Sequence, residues 1–424
     1  MDIIYQNKPF YMYYSECYSA DVRKIPNPER TTTMTIQLDL IQTTGLAVIV
    51  FVLGRWIKSK VPLFQKYFIP APVIGGLICS LIIFAGIQTN TFTVEMTNTL
   101  QDFFMNLFFT GTGFTCSFAI LKKSGKLGAR LAIGAVLFLV VQNLVGVGLS
   151  KVFGINPLLG VAMGSISMSG GVGSGASFGP TLEAFGADGG TAIGVAAATF
   201  GLLLGSITGG PVAQALIKKY NLKSTAEKSA EEKKETHLLT QSTFFDSLLL
   251  LLGAAFIGSY ISKLLNLTGL SFPYYVGCLF GGALIRNLAD ARGIDLRMHE
   301  IDVISNCSLN LFLSMALMSL NIAKLVSLAG PMIVILLTQA VVMMLWAYFV
   351  TFNTTGRDYD AAVMAAGHCG VGLGQTPNAV ANMAAVIDKN GPAPTAWFVL
   401  PVVTVIFINI MNPIIITFFI NLLK

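Results

Sequence analysis

The sequence predicts an all-α polytopic membrane protein of ten transmembrane helices in two inverted five-helix repeats, each with a re-entrant hairpin. Three observations carry that prediction. Of 424 residues, 54% are hydrophobic and 11% charged, with a mean hydropathy of +0.70. That is more apolar surface than a water-soluble core of this length buries, so lipid must solvate it. Apolar stretches long enough to cross a hydrocarbon core of about 30 Å, roughly 20 helical residues each, recur along the chain. A single hydrophilic run of mixed charge, KKYNLKSTAEKSAEEKKETH over residues 218–237, is too polar to pack and divides these stretches into two sets of five.

Taken in order, residues 1–37 form an N-terminal extension. The first 33 residues are polar and aromatic, with no apolar h-region or small-residue cleavage site, so they do not read as a signal peptide. Met34 opens the run MTIQLDLIQTTGLAVIV, and translation is expected to start there. Residues 38–217 make the first membrane repeat, with crossings at 38–54, 67–87, 101–121, 129–150 and 191–217. Residues 218–240 are the linker. The second repeat, 241–424, crosses at 243–265, 271–286, 303–323, 329–353 and 394–422.

Lysine and arginine fix the orientation. Alternate loops carry 19 basic residues on the linker side, whereas the other side has Lys151, Lys263, Lys324 and Lys424. The linker is therefore expected in the cytoplasm and both termini outside. The formal charge of +6 is spread over short loops rather than gathered in a patch, so it reports topology and not a nucleic-acid partner. An odd number of spans per half makes the second half enter from the opposite face. Matches at similar offsets support a duplication: Asn106–Thr110 (NLFFT) with Asn310–Ser314 (NLFLS), Gly171–Gly175 (GVGSG) with Gly370–Gly374 (GVGLG), and Gln142 with Gln339.

Two segments fit none of the ten spans, residues 160–186 and 361–386. They are apolar, yet glycines and hydroxyls interrupt them. Non-helical backbone at membrane depth survives only where protein buries it or a cavity hydrates it, so each reads as a re-entrant hairpin with its glycine tip near the midplane. The first enters from outside and the second from the cytoplasm. A helix beginning at such a tip directs free N–H groups and partial positive charge at a carboxylate, while carbonyls at the unwound turn coordinate sodium. The candidate substrate contacts are Ser169, Gly170, Gly171, Gly173, Ser174, Gly175 and Ser177 on the first hairpin, and His368, Gly370, Gly372, Gly374, Thr376 and Asn378 on the second. Ser167 is a further hydroxyl beside the first tip. Candidate sodium ligands are Asn106, Thr110, Asn310, Ser314 and Asn382. Each polar residue also has a structural reading, as a partner for neighbouring backbone or a site of close helix packing.

Other chemistries find little support. Cys17, Cys79, Cys116, Cys278, Cys307 and Cys369 include no CxxC pair and read as small apolar residues. Neither glycine run has the GxxxxGK[ST] arrangement of a phosphate loop. Ser174 with His368 is the one obvious nucleophile and base for an intramembrane hydrolase, and no third group is placed to orient them. No catalytic residue and no cofactor is expected.

The runs FIPAPVIGGL (68–77), SISMSGGVGSGASF (165–178), ATFGLLLGSITGGPVA (198–213) and YDAAVMAAGHCGVGLGQTPNAVANM (359–383) resemble the bacterial sodium/glutamate symporter family, and the likeness runs from about Met34 to the C-terminus. The resemblance implies a homodimeric secondary transporter of the cytoplasmic membrane that imports L-glutamate with sodium by alternating access, with an elevator-like movement against a dimerising scaffold. The tail before Met34 departs from the family pattern, and Val172 stands where some members have a histidine. A symporter of another small dicarboxylate or hydroxycarboxylate would share this architecture, and a channel would also use glycine tips.

Overall fold

The computed structural model describes residues 34–224, 239–320 and 322–424, so the expectation for residues 1–33 and most of that for the linker fall outside the described residues. Helices dominate. The first half contains α1 (Leu40–Lys60), α2 (Ala71–Gln88), α3 (Thr99–Phe114), α4 (Gly125–Val152), α5 (Pro157–Ile166), α6 (Gly171–Ala184) and α7 (Gly190–Tyr220). The second contains α8 (Gln241–Asn266), α9 (Tyr274–Ala291), α10 (Met298–Met318), α11 (Ala329–Thr354), α12 (Tyr359–Leu373), α13 (Thr376–Asn390) and α14 (Pro394–Leu423). Each element of the second half begins 199 to 205 residues after its counterpart in the first.

Among the described residues, nine of these helices are long and apolar enough to cross a membrane, α3 being counted together with the short helix that continues it to Lys123. The tenth expected crossing, α9, has the length but ends in a polar turn with Arg286, Asn287 and Asp290, and is not among the nine. Helix starts repeat between the halves as well. Asp39 caps α1 and Thr240 caps α8, each in a reciprocal box with the residue three positions on. Asn156 caps α5 and Asp358 caps α12, accepting from the N–H groups of Leu158 and Ala361. Several helices run past the expected ends, α1 to Lys60 and α9 to Ala291, because charged side chains leave the bilayer without breaking the helix.

Met34–Gln37 and Phe92–Glu95 form a two-stranded parallel pair that the sequence reading did not contain. Four alternating residues are too few for a periodic signal, and the partners are 58 positions apart.

The helices gather into two bundles, each drawing on both halves. One comprises α1, α2, α3, α8, α9 and α10. Its pairs meet at glycine: a Cβ on Gly54 or Gly75 would lie 2.0 Å from a carbonyl oxygen of the α1–α2 partner, and Gly258 and Gly277 are as closely opposed across α8–α9. The other bundle comprises α4 to α7 and α11 to α14, with α7 packed against α6, α12 and α13 at its centre. Between the bundles, Tyr275 of α9 stacks on Phe109 of α3 at 4.2 Å and meets Phe178 of α6 edge-on.

Candidate functional site

Both non-spanning segments are two helical arms joined by a break. In the first, α5 ends in a π-helical turn whose Gly164 is non-helical (φ −93°, ψ −134°). Residues 167–170 then turn, and α6 starts at Gly171 with φ +71°, a left-handed conformation that glycine adopts without the Cβ penalty. In the second, α12 ends at Leu373, Gly374 leaves the helix (φ −153°, ψ −111°), Gln375 is extended, and α13 starts at Thr376 with Pro377 in its first turn, where a missing N–H costs nothing.

The glycine runs were expected at the tips, but they flank the breaks, and on opposite sides. GVGSG forms the first turns of α6, after the break, whereas the first four residues of GVGLG form the last turn of α12, before it, and Gly374 lies in the break itself. Their purpose is close approach. A Cβ on Gly171 would lie 2.7 Å from Gln375 Nε2, one on Gly175 would strike Gly194, and one on Gly370 would lie 2.5 Å from the Ala379 nitrogen.

Buried amides hold the breaks in place. Asn143 on α4 donates to Ser165 Oγ at 2.9 Å and accepts from the Ser165 N–H at 3.0 Å, and Asn412 on α14 donates to the Ser165 carbonyl at 2.9 Å. These bonds supply the unwound α5 turn with partners that its helix no longer provides. Gln142 links the two segments. Its Nε2 donates to the Gly372 carbonyl at 2.6 Å, and its Oε1 accepts from Ser169 Oγ at 2.6 Å. Gln339, the counterpart of Gln142 in the second half, donates to the Gln142 carbonyl at 2.8 Å. Both glutamines are fully buried. Ser167 Oγ donates to the Gly194 carbonyl at 2.6 Å and also to that of Ala162.

A cavity of about 250 Å³ lies where the breaks meet, lined by Ser169 and Gly170 from one and Gln375, Thr376 and Pro377 from the other. Phe108 and Thr112 of α3, Asp302, Ser305 and Asn306 of α10, and Thr404 and Asn409 of α14 complete the wall. It is the size of a small metabolite, below the roughly 300 to 1,000 Å³ of drug-sized sites. Both α6 and α13 begin at the cavity, so two positive helix ends converge here, although the Gly171 N–H is taken by the Ser167 carbonyl at 3.0 Å, the Asn378 N–H by the Gln375 carbonyl at 3.0 Å, and Pro377 has none to give.

Of the expected substrate contacts, Ser169, Gly170 and Thr376 line the cavity, and Gly171 and Gly173 adjoin it through Gln375 and Phe108. The Gly372 carbonyl is taken up by Gln142. The remaining candidates lie behind the wall. Ser177 donates to the Gly173 carbonyl, and Gly170 abuts Ser174. Asn378 Nδ2 reaches the Leu202 carbonyl and Ser206 Oγ on α7, at 2.7 and 2.6 Å. Its Oδ1 is buried without a partner and faces Gly374. His368 sits a turn or more back on α12, with Nδ1 2.8 Å from Thr351 Oγ1 and its ring edge-on to Phe138; Ser174 is not among its partners.

For the expected sodium ligands, Thr110 and Ser314 hydroxyls donate to the Asn106 and Asn310 carbonyls one turn back, both at 2.8 Å. Asn310 Nδ2 donates to the Asn306 carbonyl, and Asn106 Oδ1 is buried and unpartnered. Asn382 Nδ2 bonds the Gly205 carbonyl at 2.8 Å. Among the described residues no three His, Cys, Asp or Glu side chains gather as a metal site.

Sequence reasoning paired Gln142 with Gln339 but gave them no task, and it missed Gln375, Thr112 and Asp302. The first two carry no local signal. Asp302 carried one, an acidic residue at the head of an apolar span, which functional sites in membranes favour.

The sodium/glutamate symporter family profile matches residues 36–392. The sodium/glutamate symporter of Escherichia coli K12 is 37% identical over 394 residues, which span 91% of this chain and 98% of that protein. That of Haemophilus influenzae is 34% identical over 391 residues, 89% of this chain and 96% of its own length. Among solved structures, the sodium proton antiporter MjNhaP1 from Methanocaldococcus jannaschii aligns over 91% of this chain and 98% of its own, at 16% identity and a TM-score of 0.44, a likeness too loose to bear on mechanism.

Proposed function

The chain belongs to the sodium/glutamate symporter family, and from that premise we propose that it imports L-glutamate together with sodium across a bacterial cytoplasmic membrane. The observation that carries this reading is the cavity between the two breaks, where the helix ends of α6 and α13 offer N–H groups to carboxylates. Ser169, Gly170, Thr376 and the first turns of these helices bind the substrate. Sodium takes oxygens that the protein leaves free, Asn378 Oδ1 beside Gly374 and Asn106 Oδ1 on α3.

The ten-span inverted architecture, with α5–α6 and α12–α13 as re-entrant hairpins, is part of this proposal. It is supported by the repeated order of elements and by the repeated caps. The basic residues on the linker side favour a cytoplasmic linker and outer termini. In that orientation the cavity walls from α3 and α10 belong to the cytoplasmic ends of those helices, so the state described here faces inward. Alternating access moves the hairpin-bearing bundle against the other, which forms the scaffold of a homodimer.

Glutamate carries one net negative charge at neutral pH, so import against an inside-negative potential costs about 2.3 kcal/mol per 100 mV. One sodium cancels that cost, and a second makes the cycle electrogenic. The test is uptake of labelled L-glutamate by purified protein in liposomes under an imposed sodium gradient. Concentrative, saturable uptake that collapses when sodium is replaced by choline is expected. Sodium-independent, non-saturating flux would refute the proposal in favour of a channel.

A further inference from the structure

Building on the cavity as the glutamate site, we propose that the Asp302 carboxylate binds the α-ammonium group of the substrate, and so makes the cavity select an amino acid over a dicarboxylate of the same length. Asp302 is the one charged side chain in the wall, and no lysine or arginine lines the cavity to neutralise it. It stands on the same face of α10 as Ser305, Asn306 and Leu309, at helical spacing, and all four line the cavity. Among the described residues its carboxylate has no hydrogen-bond or ion-pair partner, and the Asn306 amide beside it donates to the Asp302 backbone carbonyl instead.

The charges of site and substrate correspond. Glutamate brings two carboxylates and one ammonium, and the cavity offers two helix N-termini and one carboxylate. The helix ends supply about half a positive charge each, which together offset Asp302. Glutamate with one sodium then completes a neutral site, whereas glutarate, which lacks the ammonium, leaves a surplus negative charge facing Asp302. Asp302 is itself exposed, so it keeps its hydration at the mouth of the cavity and stands open to an incoming ligand's cationic group. Selectivity thus comes from repulsion of the wrong substrate as much as from attraction of the right one.

Equilibrium binding to detergent-purified protein tests this without requiring turnover. Wild type, Asp302→Asn and Asp302→Glu are titrated with L-glutamate and with glutarate at saturating sodium, and with sodium at fixed glutamate. Asp302→Asn is expected to weaken L-glutamate about 10- to 100-fold, the loss of a charged hydrogen bond. Glutarate affinity should stay level or improve, so the preference swings toward the dicarboxylate, and Asp302→Glu should recover part of the original preference. Parallel weakening of both ligands, a shift in the sodium titration alone, or no shift at all would each overturn the assignment. If wild type fails to bind L-glutamate, the functional reading falls and takes this inference with it. If wild type binds and the Asn variant keeps the preference, only the inference falls.

Discussion

The two bundles solve the same problem, burying helices in a bilayer, by different means. In the α1, α2, α3, α8, α9, α10 bundle, helices such as α1 and α8 keep only 22% of their most apolar window inside and turn the rest outward. Ile41, Val48, Ile49 and Trp56 on one and Leu249, Phe256 and Leu264 on the other are exposed, as lipid-facing or interface residues would be. Their contacts are backbone against backbone at glycine, which need no polar partner. The other bundle buries 61% of the corresponding window of α7, a value that α10 of the first bundle matches, but among the described residues it alone fills its interior with amides and a histidine: Gln142, Asn143, Gln339, His368, Asn378, Asn382 and Asn412. The difference teaches that broken helices must be maintained by side chains. Each turn of α5 or α12 that leaves the helical hydrogen-bond pattern needs a partner from elsewhere: Gln142 on α4 donates to the Gly372 carbonyl, Asn143 accepts from the Ser165 N–H, Asn412 on α14 donates to the Ser165 carbonyl, and Gln339 on α11 reaches the Met163 carbonyl at 3.4 Å.

That contrast breaks most readily at Gln142. Gln142→Leu leaves the Gly372 carbonyl and Ser169 hydroxyl without their principal partner, two losses of about 1 to 1.5 kcal/mol each. Sodium-driven uptake per folded molecule should fall roughly 10- to 100-fold, and wild-type uptake would show that the breaks hold without the glutamine. A smaller effect of another kind is expected at Gly54, where an added Cβ would meet the Ala71 carbonyl oxygen. Gly54→Ala should cost about 1 to 3 kcal/mol through overpacking and lower the melting temperature in detergent while leaving the glutamate KM unchanged. A large change in KM there would erase the distinction between the bundles. The smallest effect belongs to Gly148 on α4, where an added Cβ meets nothing within 4 Å. Gly148→Ala should leave uptake intact and shift stability by no more than about 1 kcal/mol, toward greater stability, as alanine favours helix. A clear loss at Gly148 would mean that this face of α4 packs against something in the working protein.

Much of the fold was legible without coordinates because its determinants are local. Apolar runs of membrane length and the glycine-rich composition of two segments each act within a few residues, so the membrane helices, nine of them among the described residues, and the two broken segments were readable from the sequence. Family membership was legible for the same reason, since the motifs at 165–178 and 359–383 are contiguous. The position of each break was not. Identical-looking glycine runs lie after one break and before the other because packing, against Gln375 and Gly194 in one case and Ala379 in the other, decides which residues leave the helix. The short strand pair, the Gln142 link from Ser169 to Gly372, and the arrival of Asp302 beside Thr376 were decided only by tertiary structure. Each joins residues tens to hundreds of positions apart. A helix turns about 100° per residue, so a small rotation between packed helices determines whether a polar side chain meets a cavity, a carbonyl or lipid.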